Sequence, residues 1–165
     1  MEEKRYTLDD FVEVMKALRG ENGCPWDRVQ THETLTTGMI EDAYEVVEAI
    51  NNKDMDNLEE ELGDVMLQVV FHAQMEKENG TFDINDVAND ICAKLIHRHP
   101  HVFGNVCAET PEEVLKNWDA IKSEEKSRVT VTDKLKSVPP MLPALMRATK
   151  VGKKAKCFDF PTAYD

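Results

Sequence analysis

Apolar residues in this chain recur at three- and four-residue steps in one segment after another, and nowhere alternate with polar ones over the length of a strand. A 3.6-residue period gathers such positions on one stripe of a helix, so the pattern predicts an all-α protein. Leu8, Phe11, Val12, Met15 and Leu18 follow Thr7, an N-cap with acidic residues behind it, and Gly20 closes a first helix over roughly 8–19. Gly23-Cys24-Pro25-Trp26-Asp27 places breakers around a large aromatic and reads as a structured loop, with Trp26 as a plug for the core. A second helix covers roughly 32–50 with Ile40, Ala43, Val47 and Ile50 as its core stripe, until Asn51-Asn52-Lys53-Asp54 breaks the pattern. A third, from about 56 to 78, carries Leu58, Leu62, Val65, Met66, Val69, Val70 and Ala73 and stops at Asn79-Gly80.

A fourth helix begins near Asp83 or Asn85 and must end before Pro100. Thr110, Pro111 and Glu113 form the capping-box signature of a fifth, with Leu115, Trp118 and Ile121 on it. The short polar break between helices two and three predicts an antiparallel hairpin, joined by helix four in a bundle of about five helices. No GxGxxG or GxxxxGK[ST] loop is present, which removes the common glycine-rich phosphate cradles.

Charge narrows the partners. With 32 acidic against 20 basic residues the net charge is -12, so a nucleic-acid polymer is not the expected partner, and a polyanionic substrate would need cations between it and this surface. The cysteines are scattered, without a CxxC pair, and read as reduced thiols of a cytoplasmic protein. The N-terminus MEEKRYTLDDF lacks the apolar region of a secretory signal, and no membrane span is expected.

Most carboxylates in such a chain solvate helix faces, and only spacing can single out a site. Asp42 and Glu45 stand three residues apart on the second helix, Glu61 and Asp64 on the third. Each pair presents its oxygens on one helix surface, and a hairpin lets the two pairs face each other. On helix two the acidic face lies opposite the Ile40/Ala43/Val47 stripe. Four carboxylates brought together repel unless cations separate them. All-oxygen coordination suits Mg²⁺, with Mn²⁺ as a substitute, and Mg²⁺ is held by few carboxylates together with waters and phosphates. Gly63 costs about 1 kcal/mol inside a helix, which a close approach of backbone, metal or phosphate would explain.

Gly23-Cys24-Pro25-Trp26-Asp27, Gln30-Thr31-His32, Glu41-Asp42-Ala43-Tyr44-Glu45, Glu60-Glu61-Leu62-Gly63-Asp64 and Arg98-His99-Pro100-His101-Val102-Phe103 resemble, in order and spacing, the MazG family of nucleoside triphosphate pyrophosphohydrolases, over about residues 7–126. The resemblance implies metal ligands at Asp42, Glu45, Glu61 and Asp64, with Glu41 beside them. It departs at Asp42, where the family pattern has Glu. It implies hydrolysis between the α and β phosphates to a monophosphate and pyrophosphate, with Glu41 or Glu45 accepting the proton of the attacking water. Lys94 and Arg98, one turn apart, are the expected phosphate contacts, although basic residues at a helix C-terminus also answer its dipole. Trp118 is a candidate for stacking on the base and equally a core residue.

The resemblance further implies a homodimer. Residues 1–126 read as one MazG-like domain and 127–165 as a linker with the start of a second unit: Leu142-Pro143-Ala144-Leu145-Met146 leads a helix, and Cys157-Phe158-Asp159-Phe160-Pro161 faintly echoes the earlier Cys-Pro-Trp-Asp. Two other readings stay open. One is a silent MazG unit acting as a dimerisation or regulatory module. The other is a di-iron bundle, for which no histidine has the required Glu three residues before it.

Overall fold

The computed structural model describes residues 4–125 and 130–156. Among these residues there is no strand, as the periodicity predicts, and there are nine helices where it led to about five. The chain divides into two compact units, Met1–Cys92 and Ala93–Asp165. The boundary expected near residue 126, and the Cys157–Pro161 segment, lie outside the described residues.

The first unit holds α1 (Leu8–Arg19), α2 (Pro25–Val29), α3 (Thr36–Asn52), α4 (Met55–Asn79) and the opening of α5 (Ile84–Arg98), which runs on past the division. Helix α1 starts on a reciprocal cap: the Thr7 hydroxyl accepts from the Asp10 N–H at 3.2 Å, and the Asp10 carboxylate accepts from the Thr7 N–H at 3.0 Å. The expected loop at 23–27 is instead the entry to α2, because Pro25 has the φ of a first helical position. Gly23 is obligatory there, since a Cβ would lie 2.1 Å from the Leu18 carbonyl oxygen. Trp26 does not plug the core; it is 61% exposed. Arg19 ties these pieces down, donating to the Asp27 carbonyl at 2.6 Å and to Glu78 of α4 at 2.8 Å.

Helices α3 and α4 are joined only by Lys53 and Asp54. Lys53 ends α3 in the left-handed region, φ 58°, and the Asp54 carboxylate caps α4 by accepting from the Asn57 N–H at 3.1 Å. The core of the unit is Met15, Leu35, Val70, Phe71 and Met75, with Phe11, Val12, Leu18, Leu67 and Ile84 around it.

One expectation inverts. On α3 the covered line is Leu35, Asp42, Val46 and Ala49, whereas Ile40, Ala43, Val47 and Ile50 are exposed, as are Leu62 and Met66 on α4. The sequence stripe is real but is turned away from α4, and the acidic side of α3 faces its partner helix. Hydrophobicity marks a face to be covered without saying by what.

The second unit holds the end of α5 with α6 (Pro100–Phe103), α7 (Pro111–Glu125), α8 (Val131–Lys136) and α9 (Ala144–Lys156). The Thr110 hydroxyl accepts from the Glu113 N–H as predicted, but the Glu113 carboxylate accepts from the Glu109 N–H, so the capping box is only half formed. Helix α9 begins where Leu142-Pro143-Ala144 predicts. Helices α8 and α9 pack on each other.

Candidate metal centre on the helical hairpin

Antiparallel packing sets Glu45 level with Glu61, and Gly38 level with Gln68, with Asp42 and Asp64 between. The contacts fit this register. Glu61 feels the charges of Glu45, Asp64 and Glu60 and shares a hydrogen-bond contact with Glu45. Gln68 Nε2 donates to Asp42 Oδ2 at 2.8 Å, and a Cβ on Gly38 would stand 3.1 Å from that same nitrogen. Partial desolvation and these neighbouring carboxylates hold the Glu61 carboxyl above its ordinary 4.5.

Among the described residues, no three His, Cys, Asp or Glu side chains stand together as a ligand cluster. The four carboxylates form an array along the hairpin, with Glu45 and Glu61 in contact across it. The donor set nevertheless fits a hard divalent cation: it is all oxygen, it is crowded enough to raise a proton affinity, and it adjoins Gln68 Oε1, a buried acceptor with no partner among the described residues. Glu41, the other candidate proton acceptor, is exposed on α3.

Gly63 has open space where its Cβ would be, so no close approach among the described residues explains it. The helical glycine with a packing reason is Gly38. Sequence reasoning missed both it and Gln68, although Gln68 lies seven residues after Glu61 and four after Asp64, on the same face of α4.

Lys94, Arg98 and Trp118 belong to the second unit. Lys94 is exposed. Arg98 is buried and committed: its guanidinium donates twice to Glu125, at 2.5 Å from Nη2 and 3.2 Å from Nε, and lies 5.3 Å from the Trp118 ring. Hydrogen bonding to Glu125 raises its already high pKa. Trp118 is half-buried, with His99 edge-on at 4.8 Å. His99 also contacts the Leu95 carbonyl, at 2.6 Å through Nδ1, so the histidine-rich segment is used structurally.

A second polar network, also unforeseen, joins the segment before α3 to α4. His32 and His72 stack at 4.9 Å, their Nδ1 atoms 2.7 Å apart, and His32 Nε2 lies 2.7 Å from Glu76. Thr81 and Asn79 donate to Glu76 as well, and these bonds hold its carboxyl down to about 2. Burial, with His32 alongside, pushes His72 below its ordinary 6.5.

The family model for the MazG nucleotide pyrophosphohydrolase domain matches residues 30–103. An Escherichia coli K12 protein named nucleoside triphosphate pyrophosphohydrolase is 47% identical over 148 residues, covering 89% of this chain and 56% of its own length. A Thermotoga maritima protein named nucleoside triphosphate pyrophosphohydrolase/pyrophosphatase MazG is 43% identical over 160 residues, covering 97% of this chain and 61% of its own. The Bacillus subtilis protein YabN is 49% identical over 148 residues, 90% of this chain and 30% of its own length. The chain thus spans between about a third and three fifths of the length of these relatives. The matched segment begins at Gln30, contains the whole α3–α4 hairpin with its four carboxylates, and ends at Phe103, so this part of the chain is similar to the MazG nucleotide pyrophosphohydrolase domain.

Proposed function

We propose that this chain hydrolyses nucleoside triphosphates between the α and β phosphates, releasing the monophosphate and pyrophosphate, with Mg²⁺ (or Mn²⁺) held by Asp42, Glu45, Glu61 and Asp64. The observation that carries the reading is the face-to-face acidic pairing of α3 and α4, where Glu45 meets Glu61 within the segment matched to the family. Names of relatives supply the reaction class; they belong to longer proteins.

A divalent cation bound there would neutralise phosphate oxygens and acidify water. The protein's own part is to hold four carboxylates on two rigid helices and to supply the proton acceptor, drawn from Glu41 and Glu45. Lys94, Arg98 and Trp118 stay in this reading as the groups for the triphosphate and the base. Arg98 would have to exchange part of its bond to Glu125 for phosphate. The same reading makes the protein a cytoplasmic homodimer. Its support is the exposed apolar line Ile40, Val47 and Ile50 on α3, with Leu62 and Met66 on α4. No helix among the described residues is long and apolar enough to cross a membrane.

Pyrophosphate release from a panel of ribo- and deoxyribonucleoside triphosphates, with Mg²⁺, with EDTA and with Glu61→Gln, tests the proposal. Turnover lost under both controls supports it. Nucleotide binding without turnover favours the second reading, a silent unit of a longer enzyme, which the partial coverage of the relatives keeps in view.

A further inference from the structure

Gln68 lies outside the carboxylate set, yet three observations tie it to that set. Its Nε2 donates to Asp42 Oδ2 at 2.8 Å. Its Oε1 is buried with no partner among the described residues. Position 38, facing its amide, is glycine, and a Cβ there would stand 3.1 Å from Nε2, close enough that the amide would have to give by a few tenths of an ångström. Turning the amide over would set oxygen against a carboxylate oxygen, so the donor must face Asp42 and the acceptor must stay orphaned. An unpartnered buried acceptor is an unfavourable arrangement unless something satisfies it. A hydrated divalent cation beside Asp42 can do so.

We infer that Gln68 is the positioning residue of this centre: it fixes the short Asp42 side chain by one hydrogen bond and leaves Oε1 as a further hard oxygen for the hydrated cation. The inference rests on the cation-site reading above. It also explains how aspartate serves where the family pattern has glutamate. A side chain one methylene shorter reaches less far and gains more from being held, and partners beyond the ligands themselves typically account for a 10- to 100-fold difference in metal affinity.

The test is direct Mn²⁺ binding to the full chain without nucleotide, followed by the electron paramagnetic resonance signal of free Mn²⁺. Gln68→Leu is expected to weaken binding about 10- to 100-fold, with the circular dichroism and melting profile of the metal-free chain kept. Gln74→Leu is the control: Gln74 is buried on the same helix but donates to Glu78, at 2.9 Å, and its loss should leave Mn²⁺ affinity within about threefold of the parent. Unchanged affinity in Gln68→Leu, or an equal loss in Gln74→Leu, overturns the role of Gln68 while leaving the cation site standing. A parent chain that binds no Mn²⁺ overturns the site and the inference together. If Gln68→Leu does not fold, Gln68→Met, which keeps the length without either polar atom, is measured under the same criteria.

Discussion

Glu61 concentrates the chemistry of single residues. Its carboxyl is held above the ordinary 4.5 by partial desolvation and by Glu45, Asp64 and Glu60, so ionised Glu61 destabilises the fold at neutral pH. Glu61→Gln should therefore raise the melting temperature of the metal-free chain, and the further rise that Mg²⁺ gives the parent should largely vanish; differential scanning fluorimetry with and without Mg²⁺ reads both. His72 and Glu76 are both held below their ordinary values, so both cost stability as pH falls, in separate pH ranges. In the fold His72 resists the proton that the unfolded chain accepts near 6.5, so stability falls as pH drops through and below that value. Glu76, held at about 2 against 4.5, contributes stability that is present above 4.5 and lost as pH falls toward 2. Calorimetry across pH should show two declines, the upper removed by His72→Gln and the lower by Glu76→Gln. The carboxylates were legible in the sequence because i,i+3 spacing on a helix is a local rule. The His32–His72–Glu76 network was not, because it joins residues 40 and 44 positions apart whose meeting no period encodes.

At the scale of elements, the longer helices were legible to within a few residues of their ends, because caps and breakers are written locally: Thr7 before α1, Asn79-Gly80 after α4, Thr110-Pro111 before α7; the short α2, α6 and α8 were not. What each face packs against was not. Periodicity located the Ile40/Ala43/Val47/Ile50 stripe but could not tell an internal partner from an external one, and the side of α3 that meets α4 carries Asp42. The hairpin turn makes its own prediction. Lys53 sits at φ 58°, a conformation costing a side-chain-bearing residue about 1–2 kcal/mol. Lys53→Gly removes that cost while loosening the unfolded chain, for a net gain of about 0.5 kcal/mol in denaturant midpoint measurements. Phe71→Ala, which empties the centre of the α1–α4 core, should cost about 3–5 kcal/mol by the same measurement.

For the molecule as a whole, the apolar line left open on α3 and α4 predicts association. Light scattering on the eluting peak should report twice the 18.8 kDa of one chain. Val47→Glu, which puts a charge into that line, should shift it to one chain without loss of helical signal. Gly38, Asp42, Glu45, Glu61, Asp64 and Gln68 all come from two consecutive helices joined by a two-residue turn. Contacts so near in sequence close small loops and form early, before distant segments must find each other. The acidic surface is thus a contiguous cassette: it can assemble on the nascent chain before α5 is complete, and a gene duplication confined to this stretch would copy the entire ligand set at once.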